Sequence, residues 1–142
     1  MILLQRKEFR VLLACFAVMI LATTYLFQRM DCAAMVGIDS LNGKFIFNKS
    51  LRFLLNDGAC LLLVIAFFNR PNYLRISAWV FLVEFIFLLP FYFTLKLTLE
   101  GNSEISSPLL SQLHRMIVNP LLMIVLIMGF VYQDYFWTRK NY

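Results

Sequence analysis

Charge is scarce in this 142-residue chain: 15% of its residues are Asp, Glu, Lys or Arg, and there is one histidine. That leaves little material for soluble chemistry. Cys15, Cys32 and Cys60 fall in no CxxC or Cys/His spacing, which argues against a zinc site or a disulfide framework. There is no paired metal-ligand motif, no Gly-rich phosphate loop and no Ser/His/Asp set, so neither metal nor cofactor is expected. A cysteine transpeptidase would draw on Cys60, His114 and Arg115. Yet Cys60 lies in an apolar run, where a thiol is an inert small hydrophobe.

What is abundant is apolar side chain. Hydrophobic residues make up 61% of the chain, 15 of them phenylalanine, and the mean hydropathy is +0.76. Soluble domains do not reach these values. Four apolar stretches, 11–27, 51–68, 76–95 and 113–132, approach the ~20 residues a helix needs to cross ~30 Å of hydrocarbon. The expectation is an all-α, integral membrane four-helix bundle forming one transmembrane domain over 1–142. Function then sits within the membrane, at its faces, or on a partner. The first stretch, preceded by Arg6, Lys7 and Arg10, mimics a signal peptide. It is long for one, and Ala33–Ala34 lie beyond a charged break, so an uncleaved helix is expected.

The net charge of +5 reads as topology and lipid-headgroup charge, not as a nucleic-acid surface. Arg6, Lys7, Arg10, Arg70, Arg75, Arg139 and Lys140 fall on one side of the spans; Arg29, Lys44, Lys49 and Lys96 fall on the other. Seven against four places both termini in the cytoplasm, in a bacterial inner membrane. Tyr25, Tyr92, Tyr132, Tyr135 and Trp137 sit near span ends, where amphipathic rings settle. The outer loop 28–49 reads as a turn at Asp39–Gly43 followed by a short strand or interfacial segment at Lys44–Asn48. The connection Glu100–Pro108 is polar and flexible.

Ionisable groups at membrane depth are costly and face protein or water. Arg52, Asn56 and Asp57 open the second span, while His114, Arg115, Asn119 and Pro120 open the fourth. Glu84 lies mid-way along the third, ~15 Å deep, with Asp57 at ~10 Å. Arg52 and Asn56, like Arg115 and Asn119, share an Arg-x-x-x-Asn spacing that puts each pair on one helix face and hints at a degenerate repeat. Both arginines fall at helix N-termini, the end that disfavours cations, so an anion should answer them. Lipid phosphate fits, and so does a carboxylate of Asp57, Glu84 or a partner. Glu84 reads as a neutral group hydrogen-bonded to a neighbouring helix, as a docking point for a partner helix, or as part of a proton or ion pathway; beside Asp57, desolvation would keep one of the two protonated. Kinks are expected at Pro90 and Pro120, and close helix approach at Gly58–Ala59–Cys60 and Gly129.

Two segments carry a family resemblance. Arg52-Phe53-Leu54-Leu55-Asn56-Asp57 at the second span, and Leu113 to Met123 at the fourth, resemble the exosortase F system-associated membrane proteins, small four-span flavobacterial accessory proteins. The resemblance implies a non-catalytic accessory subunit beside a larger integral membrane protein, an exosortase, in a Bacteroidetes protein-sorting system. This chain lacks the many spans and outward-facing Cys of the enzyme itself. A small transporter or lipid-acting protein using Glu84 and the outer arginines is the other class of reading.

The charge count predicts that an impermeant thiol reagent applied to intact cells modifies Cys32 and spares a cysteine introduced beside Arg70. Labelling beside Arg70 alone would invert the topology.

Overall fold

The computed structural model describes residues 7–68, 70–101, 107–117 and 119–140, the last four by backbone alone. The Arg6, Trp137, Arg139 and Lys140 side chains, and 102–106 of the polar connection, lie outside what is described. Among the described residues there is no strand. The helices are α1 (Lys7–Leu26), α2 (Cys32–Met35), α3 (Leu41–Phe67), α4 (Pro71–Val83), α5 (Leu89–Leu99), α6 (Pro108–Ile117) and α7 (Leu121–Lys140). A π-helical turn, Glu84–Leu88, fuses α4 and α5 into one rod. Three rods, α1, α3 and α4–α5, are long and apolar enough to cross a membrane. The α6–α7 pair qualifies only as a single span broken by 56°.

The helix in the second span begins ten residues before its apolar run. Ser40 caps α3, its hydroxyl accepting the Gly43 N–H at 3.2 Å. A Cβ on Gly43 would sit 2.4 Å from that hydroxyl, so glycine keeps the cap open. Lys44–Asn48 is therefore helix, not strand. At 27 residues α3 is ~40 Å long, more than a hydrocarbon core needs, and its first turns precede the apolar run. They hold the loop: Asn48 accepts the Ala33 N–H at 2.9 Å and donates to Asp31 Oδ1 at 2.7 Å. Asp31 also accepts the Ala34 N–H, capping α2, and lies 3.9 Å from the Lys44 ammonium. Asn48 chiefly, with that backbone N–H and Lys44, holds the Asp31 carboxyl below its ordinary range.

At the other end of the bundle, Arg10 of α1 donates through Nε and Nη2 to the Ala66 and Phe67 carbonyls, both at 2.7 Å. It satisfies carbonyls that a helix C-terminus leaves open and suits the dipole there. Beside it Tyr73 donates to Asp134 Oδ1 at 3.0 Å, which Arg70 approaches to 3.2 Å. The Tyr73 ring stacks on Phe130 at 4.3 Å, joining α4 to α7. Nearer the loop end, Phe53 stacks on Phe81 and Phe85 at 5.7 and 6.1 Å and anchors a core with Leu89, Tyr92, Leu110 and Ile117. Ala17, Ala59 and Cys60 are among the buried small residues. A Cβ added to Gly58 or Gly129 would meet nothing within 4 Å, so neither glycine marks a close approach.

The prolines act differently from one another. Pro90 follows the π turn, in which the Leu89 N–H reaches back to the Glu84 carbonyl; the wider turn absorbs the ring and the rod continues to Leu99. Pro120 ends helix outright between α6 and α7. Lys96, expected as an outer charge, is buried in the last turn of α5 and pairs with Glu100 at 2.6 Å. Glu100 also accepts the Ser107 N–H at 2.5 Å, tying α5 to the start of α6.

These contacts, Lys96 foremost, hold the Glu100 carboxyl down at about 2 against an ordinary 4.5. A depressed folded value means the stabilisation is complete above the unfolded value and disappears as pH falls through the folded one. Thermal unfolding in detergent should therefore weaken as pH falls from about 4.5 toward 2. Glu100→Gln should lower stability at neutral pH, because Lys96 loses its counter-charge, and flatten that acid limb. An unchanged acid limb would exclude this pair as its source.

Candidate functional site

A cleft of about 290 Å³ opens where α3 faces the α6–α7 break and the end of α1. Arg52 and Asn56 enter from α3, one turn apart on one face; His114 enters from α6; Asn119 and Pro120 form the break. Thr24, Tyr25 and Gln28 close the α1 side. Among the described residues the lining contains a guanidinium, an imidazole and three amides, and no carboxylate. Among the described residues Arg52 makes no ion pair. Lys49, Arg52, Lys96 and Arg115 all lie near enough to act on His114, Lys96 being paired with Glu100. Chemically the cleft is lined by groups that can donate to an acceptor.

His114 is oriented from behind. Its Nδ1 shares a hydrogen bond with the Tyr92 hydroxyl at 3.0 Å, and the rings lie 5.7 Å apart. Tyr92 is buried, packed against Phe45 and Phe93. With Nδ1 engaged, Nε2 is the nitrogen left for the cleft. Tyr92 carries no mark in the sequence that separates it from a headgroup-level tyrosine. Its partner on α6 becomes visible only once α5 and α6 pack.

The structure gathers most of the polar residues singled out above, for reasons other than those the sequence offered. Arg52 stands eleven residues inside α3, and Arg115 occupies the last turn of α6, the end a dipole favours for cations. The helix-end argument therefore fails for both. Arg115 is exposed and outside the cleft lining. The repeat fails with it: Arg52–Asn56 is one turn of unbroken helix, whereas the break falls between Arg115 and Asn119.

Asp57 belongs elsewhere. It points into the bundle, 1% exposed, with Glu84, the first residue of the π turn, at 2%. The two side chains face each other; as carboxylates both are acceptors only, and a proton held on one of them is what would close a hydrogen bond between them. Ser77, two turns before Glu84 on the same face, is fully buried, as is Cys60 one turn beyond Asp57. Among the described residues Asp57 Oδ1 and Oδ2, Ser77 Oγ and Glu84 Oε2 have no hydrogen-bond partner. The i, i+7 spacing of Ser77 and Glu84 was a sequence signal for a shared face. Cys60, sealed beside them, has no exposed surface for a substrate.

The apolar rods with their enclosed polar groups define a multi-pass α-helical membrane protein. Comparison with family models, with curated proteins and with solved structures finds no match.

An unpartnered buried acceptor costs more than the hydrogen bond it lacks, about 1–3 kcal/mol. Glu84→Gln keeps the shape and brings an N–H toward Asp57. It should raise the unfolding temperature in detergent by a few degrees, consistent with ~1 kcal/mol. Glu84→Leu, which supplies no donor, should not reproduce the gain. A fall with Gln would mean that the carboxyl itself is required.

Proposed function

We propose that this protein is a non-catalytic accessory subunit of a larger integral protein of the bacterial inner membrane, and that the cleft around Arg52 is its recognition site for an anionic group. The observation that carries the reading is a guanidinium set among amide and imidazole donors, with no acid among the described residues of the lining. A cation kept at depth without a counter-charge is costly, and an anion from outside the chain removes the cost. The short segments about Arg52 and Asn119 that resemble the exosortase F-associated proteins make an exosortase-type sorting enzyme the partner of first choice. On that reading both termini are cytoplasmic and the cleft opens outward.

A planar fork holds carboxylate or phosphate bidentately, and a lysine point charge does not. Affinity co-purification from the native membrane should return a stoichiometric partner with the wild-type chain. Arg52→Lys should reduce its retention about tenfold, and Arg52→Gln further, with Arg115→Lys close to wild type because it stands outside the cleft. Undiminished retention in Arg52→Gln would remove the cleft from the recognition reading.

A further inference from the structure

Arg52 borders three cavities, not one. Besides the donor-lined cleft it meets an apolar groove of about 170 Å³ between α1 and α3, walled by Phe27, Met30, Leu51 and Leu55. Thr23 and Thr24 also line this groove, but their hydroxyls donate back to the Met19 and Ile20 carbonyls at 2.8–2.9 Å. Their hydrogens are spent on α1, so they add no free donor to the wall. On the loop side a third cavity adds Arg29 and Lys49 around the same guanidinium. Its one carboxylate, Asp31, is already engaged by Asn48 and Lys44. A cationic donor set therefore adjoins an apolar slot, and Arg52 belongs to both.

That juxtaposition fits an amphiphile. We infer that the cleft and groove together bind one anionic phospholipid, its phosphate on Arg52 and the first methylenes of one chain between Leu51, Leu55 and Phe27. Depth agrees. Arg52 lies fifteen residues from Phe67, ~22 Å along α3, so with Phe67 at one boundary of a ~30 Å core it falls ~8 Å inside the other. A long arginine stem there reaches a headgroup phosphate without leaving the helix face. The flanking Arg29 and Lys49 add charge that favours a net anionic headgroup and repels the cation of a zwitterionic one. The inference rests on the reading of the cleft as an anion site, and not on the accessory role.

Native mass spectrometry and thermal unfolding of the detergent-purified chain test it, with phosphatidylglycerol, phosphatidylcholine and glycerol phosphate as probes. Phosphatidylglycerol should bind one to one and raise the unfolding temperature by about 5 °C or more. Phosphatidylcholine should bind at least tenfold more weakly, and glycerol phosphate, which has no chain, should give no shift. Arg52→Gln should abolish the effect through the headgroup, and Leu55→Trp, which fills the groove, through the chain. Leu51→Trp repeats the second arm should Leu55→Trp fail to give a monodisperse helical protein. Equal responses to glycerol phosphate and phosphatidylglycerol, both lost in Arg52→Gln and kept in Leu55→Trp, would overturn the lipid and leave an anion site. No response to any probe, while partner retention still depends on Arg52, would assign the cleft to a partner's carboxylate instead. No response and no Arg52 dependence would overturn the anion site as well.

Discussion

The constraint on which the rest of this molecule depends is that a bilayer supplies no hydrogen bonds. Every polar group held at depth has to be answered by the chain or by something the chain binds. The backbone meets this by being helical throughout α1, α3 and the α4–α5 rod. Where helix stops, side chains take over. Arg10 closes carbonyls at the end of α3, Asn48 and Asp31 close the loop before it, and Glu100 closes the gap before α6. Each of these residues joins two segments as it does so. The satisfied polar contacts are therefore also what sets which helix lies beside which.

Apolar burial cannot set that arrangement alone, because lipid tails are as apolar as leucine. The aromatic contacts show what packing adds. Phe53 against Phe81 and Phe85 near the loop end, and Tyr73 against Phe130 near the other, fix α3, α4 and α7 at two levels. Beside these contacts, among the described residues, the polar accounting does not close at Asp57, Ser77 and Glu84. The π turn starts at Glu84, just where the rod must also accept Pro90. One local widening thus serves the proline and brings a carboxyl into the bundle.

The apolar runs made the spanning helices legible, since length against hydrocarbon thickness is a direct physical measure. Helix ends were not legible by the same measure, because it counts apolar residues and a helix can continue into polar ones. Lys44, Asn48 and Lys49 are helical for that reason, and Ser40, which reads as a turn residue, is the cap. This shift of ten residues moved Arg52 from a helix end to a helix interior and removed the dipole argument for it. Arg52, Asn56, His114 and Asn119 were found as costly polar residues, and that criterion does not depend on where a helix begins. Arg115 satisfied the same criterion and lies outside the cleft, because adjacent residues on a helix point about 100° apart. Tyr92 and Ser77 were missed: a tyrosine near a span end and a lone serine carry little cost, and only tertiary packing gives them partners or withholds them.

The two polar clusters differ in what can resolve them. The carboxyls of Asp57 and Glu84 are enclosed, so whatever satisfies them has to be small or supplied by a rearrangement of the helices. The donors about Arg52 line a cleft that leads to the chain's surface, and a ligand the size of a headgroup can reach them without any helix moving. The break at Pro120 makes this opening. A continuous helix from Pro108 onward would keep its polar groups on its own axis, whereas a 56° bend turns Asn119 and His114 toward Arg52 and leaves room between the helices. Function is therefore best sought at the broken span. There the fold gives up helical continuity, and in return it opens a cleft whose guanidinium has no counter-charge among the described residues.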